Sequence, residues 1–130
     1  MSGETILIVD DLPLNLKIAS AVLRIEGFQV RTAADGVEAL RSLEECRPDL
    51  ILSDIQMPNM DGLELARTVK SDEAWRGIPL IALTAFSQQT NMAEALAAGF
   101  DGYMTKPLDT RHLGGTLREF LSPRSEARPE

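Results

Sequence analysis

Cysteine and histidine are almost missing from this chain, which has one of each, Cys46 and His112. A lone thiol cannot close an internal disulfide, and one thiol with one imidazole cannot assemble a zinc cluster, so redox and structural-zinc roles fall away. Cys46 then reads as a core or boundary residue and His112 as a solvated helix residue. Also missing is any apolar run near the roughly 18 residues of a membrane span. The start, Met1-Ser2-Gly3-Glu4, has neither the basic nor the apolar stretch of a secretion signal, so a cytoplasmic protein with no membrane insertion is expected. Basic residues are in deficit, 13 against 20 acidic, and form no cluster. A net charge of −7 repels a phosphate backbone, so nucleic acid is not an expected partner. There is no Walker loop and no G-x-G-x-x-G after the first apolar run, so a bound nucleotide is not expected either.

What is present suffices for one domain: 130 residues, 44% apolar. Ile6-Leu7-Ile8-Val9, the sparser Phe28-Gln29-Val30, Leu50-Ile51-Leu52 and Leu80-Ile81-Ala82-Leu83 read as short strands buried on both faces, with Gly102-Tyr103-Met104-Thr105 as a weaker edge strand. Segments of helical period alternate with them. Leu14, Ile18, Ala21, Val22 and Ile25 fall on one helical stripe ending at Gly27. Asp35 and Glu38 have capping-box spacing ahead of a helix that carries Val37, Leu40 and Leu43 and is expected to reach Arg47, before Pro48. Asp61 and Glu64 repeat the device. A fourth helix is expected from about Ser87 to Ala98, ending at Gly99, and a fifth with Leu113, Leu117, Phe120 and Leu121 on one face. The Gly114-Gly115 pair inside it marks either a soft turn or a close neighbour. Trp75 is placed in a loop over apolar surface. Five strand–helix alternations with short connections argue for an α/β fold, a doubly wound parallel sheet with helices on both faces. The domain is expected over residues 4–121. Residues 122–130 read as a polar, disordered tail, and the whole as a complete single-domain protein.

Open α/β sheets bind ligands beyond the carboxyl ends of their strands. There this sequence delivers Asp10-Asp11, Asp54, Thr84 and Lys106, each from a different strand. Three carboxylates at one edge repel, by about 4 kcal/mol for two charges ~4 Å apart at an effective dielectric near 20. One lysine cannot neutralise three. A hard cation with oxygen ligands is called for, and Mg2+, or Mn2+ in its place, suits a site of one or two carboxylates plus substrate phosphate oxygens. A carboxylate beside such an ion, with a lysine and a hydroxyl near, is equipped to accept a phosphoryl group covalently. Asp54 is the best nucleophile, with Lys106 and Thr84 covering charge on the phosphoryl oxygens. Nothing remains to activate a further substrate, so a signalling phosphoacceptor is expected, not an enzyme acting on other molecules.

These residues resemble the receiver domains of two-component response regulators, including the single-domain chemotaxis and cell-cycle types. The match spans residues 4–121: Asp10-Asp11 after Ile6-Leu7-Ile8-Val9, then Asp54-Ile55-Gln56-Met57-Pro58-Asn59-Met60-Asp61-Gly62, then Thr84-Ala85 and Lys106-Pro107. Thr84 lies thirty residues after Asp54 and Lys106 fifty-two after it, the family spacing. The resemblance implies a five-stranded sheet of order 2-1-3-4-5, the flavodoxin-like receiver fold. It implies phosphorylation of Asp54 by a sensor histidine kinase or a histidine phosphotransfer protein, switching contacts with a downstream protein. Mg2+ would be held by Asp11, Asp54 and the main-chain carbonyl of Gln56, with Asp10 acting mostly through water. The resemblance also implies a cis Lys106-Pro107 peptide, a switch made of Thr84 and Tyr103, and phosphodonor docking at the first turn of helix one around Leu14, Asn15 and Ile18. Gln56 and Phe86 depart from the chemotaxis pattern, and an apolar Phe86 cannot orient an attacking water, so self-dephosphorylation slower than in the chemotaxis type is expected. The alternative, an aspartyl-nucleophile phosphohydrolase, needs its nucleophile after the first strand and a cap for which this chain lacks length. A flavin-binding domain of similar topology would want phosphate-cradling loops where two aspartates stand.

Overall fold

The computed structural model describes residues 3–55, 59–85, 92–106 and 111–127, with the side chains of 84, 85, 92, 105, 106 and 122–127 outside the described set. Five strands, β1 (Thr5–Val9), β2 (Gln29–Ala33), β3 (Leu50–Asp54), β4 (Leu80–Ala85) and β5 (Gly102–Lys106), alternate with helices α1 (Pro13–Ile25), α2 (Gly36–Glu45), α3 (Gly62–Ser71), α4 (Met92–Ala98) and α5 (Leu113–Ala127). All pairings are parallel and the order is β2-β1-β3-β4-β5, the expected doubly wound sheet. β5 takes the edge assigned to it.

Period-two alternation in the strands divides the core into two layers. Leu7, Val9, Ile51, Leu80 and Ala82 face α2, α3 and α4 and pack with Ala39, Leu43, Leu65, Val69 and Ala95. Ile6, Ile8, Leu50, Leu52, Ile81 and Leu83 face the opposite way, onto Ala19 and Leu23 of α1 and Leu113 and Leu117 of α5. Trp75 is partly buried against the first layer. Lys70 closes the base of that layer: its ammonium donates to the carbonyls of Arg76 and Ile78 and to Asp101 Oδ2, which also accepts from the Leu80 amide.

Several expectations need correction. The buried residues of α1 are Ala19, Ser20 and Leu23, with Leu16 and Val22 partly buried beside them, whereas Leu14 is 65%, Ile18 42% and Ile25 86% exposed. The helix carries apolar residues on two faces, and the sheet takes the one that includes Ser20. Val37 is likewise exposed, because the small residues Gly36, Ala39 and Ser42 make the close approach of α2. That helix stops at Glu45, two residues short of Arg47, and Cys46 is exposed, not in the core. β2 extends through Arg31, Thr32 and Ala33, where Arg31 is held by Ser42 Oγ at 2.8 Å and Glu45 Oε1 at 2.7 Å. α5 continues to Ala127, so the first part of the expected tail is helix. Of the Gly114-Gly115 pair, Gly114 has the close neighbour: a Cβ there would lie 2.5 Å from Glu26 Oε1, while Gly115 faces open space. Ser87–Asn91, the expected start of the fourth helix, lie outside the described residues.

Candidate functional site

The carboxyl edge of the sheet is built by short turns directly after the strands. β1 ends at Val9 and the chain passes to Asp10, whose amide donates to the Ala33 carbonyl of β2 at 3.1 Å, extending the ladder by one bond. Asp10 is fully buried. Its Oδ1 accepts from the Leu12 amide at 2.9 Å, which turns the chain into α1, and its Oδ2 accepts from Asn15 Nδ2 at 3.1 Å. Pro13 then occupies the first turn of α1, where its missing N–H costs nothing. Asp11 is exposed beside it.

Asp54 is the last residue of the central strand β3 and is 6% exposed. It stands in register with Leu83 of β4, and Ser53 just before it with Val9 of β1, so the ladder holds its main chain. One carboxylate oxygen from each of Asp10, Asp11 and Asp54 lies within 4.8 Å of the others. The convergence expected from sequence is therefore real for these three. For the buried pair Asp10 and Asp54, repulsion across such a gap is about 3 kcal/mol at an effective dielectric near 20. The donor set fits a hard dication: Mg2+ binds oxygen at about 2.0–2.1 Å, so opposite ligands lie roughly 4 Å apart, within the spread of these oxygens.

The other expected residues divide by what is described. Thr84 and Lys106 have main chain at the same edge, Thr84 one position past the Leu83 that pairs with Asp54, and Lys106 paired with Ala85. Their side chains lie outside the described residues, as do Gln56, Phe86 and Pro107 entirely. Tyr103 is on edge strand β5 and 44% exposed, with Leu96 of neighbouring α4 also exposed. His112 is exposed and lies just before α5, one residue short of the helix expected to carry it.

Three residues named in the sequence reading make contacts that it did not foresee. Asn15 orients Asp10, and the only signal for it is its place in the first turn of the helix that follows. Asn59 donates to Asp35 Oδ2 at 2.6 Å, joining the loop after Asp54 to the N-terminus of α2. Gly62 lies against the Asp54 carbonyl, with its amide donating to the Ile55 carbonyl at 2.7 Å. Asp35 also caps α2 through the Glu38 amide, and this bond, with the one from Asn59, holds its carboxyl below the usual carboxylate range.

Comparison with known proteins agrees with the geometry. A family model described as the response regulator receiver domain matches residues 6–118. The polar-differentiation response regulator DivK of Brucella anthropi is 35% identical over 118 residues, covering 91% of this chain and 96% of DivK. Chemotaxis response regulator CheY4 of Vibrio cholerae superimposes with a TM-score of 0.86 at 33% identity, over 92% of this chain and 100% of CheY4. The receiver domain of the sensor histidine kinase PA1611 of Pseudomonas aeruginosa, which has a magnesium ion coordinated in its active site cleft, gives a TM-score of 0.84 at 38% identity, over 92% and 98% of the two chains. With its sheet order, its acidic edge and these matches along nearly its whole length, the chain belongs to the response regulator receiver family of two-component signalling.

Proposed function

We propose that Asp54 is the phosphoacceptor and that Asp10, Asp11, Asp54 and the Gln56 carbonyl hold the Mg2+ that supports transfer. The observation carrying this reading is the convergence of three carboxylates, one of them at the end of the central strand, within 4.8 Å. In the transfer, Asp54 Oδ forms a bond to phosphorus as the N–P bond of a phosphohistidine donor breaks. The electron pair returns to the imidazole nitrogen of the donor. Bound Mg2+ would supply charge neutralisation for the phosphoryl oxygens and the carboxylates. Lys106 would pair with another phosphoryl oxygen, and the Thr84 hydroxyl would donate to a third. Asp10, fixed by Leu12 and Asn15, keeps its carboxylate aimed at the same point without further reorganisation.

The donor would be a sensor histidine kinase or a histidine phosphotransfer protein in the cytoplasm. Leu12, the N-cap of α1, and Leu14 and Ile18 on that helix are 53%, 65% and 42% exposed, and they follow Asp10 and Asp11 in the chain. An apolar surface beside the acidic edge is suited to docking such a donor. Downstream, the hydrogen bond between Thr84 and the phosphoryl group would bias the exposed Tyr103 and the surface around it, so that a protein partner reads the modified state. The protein acts as a switch and not as an enzyme on other substrates.

The test is incubation with Mg2+ and a small acyl-phosphate donor, followed by intact mass. A single acid-stable, base-labile phosphoryl adduct is expected, absent in Asp54→Asn and absent when the metal is chelated. An adduct that persists in Asp54→Asn overturns the acceptor assignment.

A further inference from the structure

Asn59 is the only non-glycine residue with positive φ among the described residues, at 66°. The left-handed region is costly for a residue with a Cβ, although Asn tolerates it better than most. Its side-chain amide donates to Asp35 Oδ2 at 2.6 Å, while Asp35 Oδ1 accepts from the Glu38 amide at 2.9 Å. The two oxygens of one buried carboxylate thus serve two ends: one caps α2, and the other reaches across to the loop that follows Asp54.

The next residue repeats the connection through the main chain. The Met60 carbonyl accepts from the Gly36 amide at 3.1 Å, and a Cβ on Gly36 would lie 2.6 Å from Met60 Cγ, so the two segments touch without slack. Two residues later Gly62 donates to the Ile55 carbonyl at 2.7 Å and rests against the carbonyl of Asp54. A short run of hydrogen bonds and close contacts therefore leads from Asp35 through Asn59, Met60 and Gly62 to the main chain of Asp54. The capping of α2 needs only Oδ1, and the Gly36–Met60 bond already brings the segments together. The Asp35–Asn59 bond and the left-handed residue that makes it call for a further role, since such conformations persist where their surroundings over-determine them.

We propose that Asp35 and Asn59 are positioning residues for the acceptor site: their hydrogen bond fixes the chain from Asn59 to Gly62 against Asp54 and so sets the carboxylate geometry that takes Mg2+. The proposal rests on the reading of Asp54 as a Mg2+-assisted acceptor. It is tested with Asn59→Gly, which keeps the left-handed backbone and deletes the amide. A second variant, Asp35→Ser, keeps a good helix cap and is too short to reach Asn59. In metal-free buffer, hydrogen exchange at the Gly36 and Gly62 amides should quicken in both variants. By calorimetry Mg2+ should bind about tenfold more weakly, the scale on which groups that orient metal ligands act. Asn59→Asp sets two carboxylates against each other and should show the same loss, whereas Asp35→Asn combined with Asn59→Asp rebuilds the bond with its partners exchanged and should recover most of the affinity. Leu113→Val, in the opposite core layer, should lower stability while leaving Mg2+ affinity alone. Wild-type Mg2+ affinity in Asn59→Gly and Asp35→Ser, or no recovery in the exchanged pair, overturns the proposal. If the wild type takes no phosphoryl group on Asp54, the acceptor reading fails separately, and the exchange and Mg2+ measurements still judge the clamp.

Discussion

Replacing Gly62 by alanine should damage this protein far more than one methyl group suggests. A Cβ at position 62 would overlap the Asp54 carbonyl oxygen and would lie 2.8 Å from Ile55 Cα and 3.1 Å from the Asp54 carbonyl carbon. These are main-chain atoms at the end of the central strand, paired to β1 and β4, so they cannot swing aside as a side chain could. Alanine is worth up to about 1 kcal/mol over glycine inside a helix, and less at the first position of α3. Forcing a methyl into a filled space costs about 1–3 kcal/mol, and rigid neighbours push toward the upper end. The net expectation is a loss of about 2 kcal/mol. With a urea slope of roughly 1.5 kcal/mol/M, the unfolding midpoint followed by circular dichroism should fall by about 1.3 M at unchanged slope. Mg2+ affinity should fall as well, because the displaced atoms belong to Asp54. A midpoint equal to or above that of the wild type would refute the reasoning.

The other expectations use the same measurements. Gly115→Ala, inside α5 with nothing within 4 Å of the new methyl, should instead gain about 0.5–1 kcal/mol; a loss would mean that this turn has a neighbour the fold does not show. Ser20, 5% exposed, buries a hydroxyl without a hydrogen-bond partner among the described residues, so Ser20→Ala should stabilise by about 1 kcal/mol, read from the urea midpoint. Asp35 has a carboxyl held below its unfolded value, so its contribution is complete above an unfolded value of about 4 and fades as pH falls through the lower folded value. Asp35→Ala should therefore cost about 1–2 kcal/mol at neutral pH, with the gap closing below pH ~4; a gap constant with pH would mean that the ionised form is not the one the fold uses.

The acidic edge was legible because parallel topology is: once each apolar run is a strand buried on both faces, every residue that follows a run must gather at one edge. Asp10, Asp11 and Asp54 needed no further information. The face of α1 was not legible, because Leu14, Ile18 and Ile25 compete with Leu16, Ala19 and Leu23, and hydropathy favours the stripe without Ser20. Only the fit of small residues against the sheet decides between them. β2 hid its last three residues because an edge strand can carry Arg31 when Ser42 and Glu45 receive it from α2. Asn59 resisted for a different reason: its partner is twenty-four positions away, and nothing local marks a side chain that crosses between two loops. Capping boxes, by contrast, are local, and Asp35 and Asp61 were both found.

Parallel strands joined by returning helices also decide where the chain can be extended. β1 starts, and α5 finishes, at the edge opposite the carboxylates; there Gly3 bonds to Gly27, and Arg118 clasps Glu26 at the foot of α1. A fluorophore, affinity tag or second module joined to either end would hang beneath the sheet. The mouth above would stay open to a bulky donor, and one scaffold could serve free-standing or fused without rebuilding its chemistry.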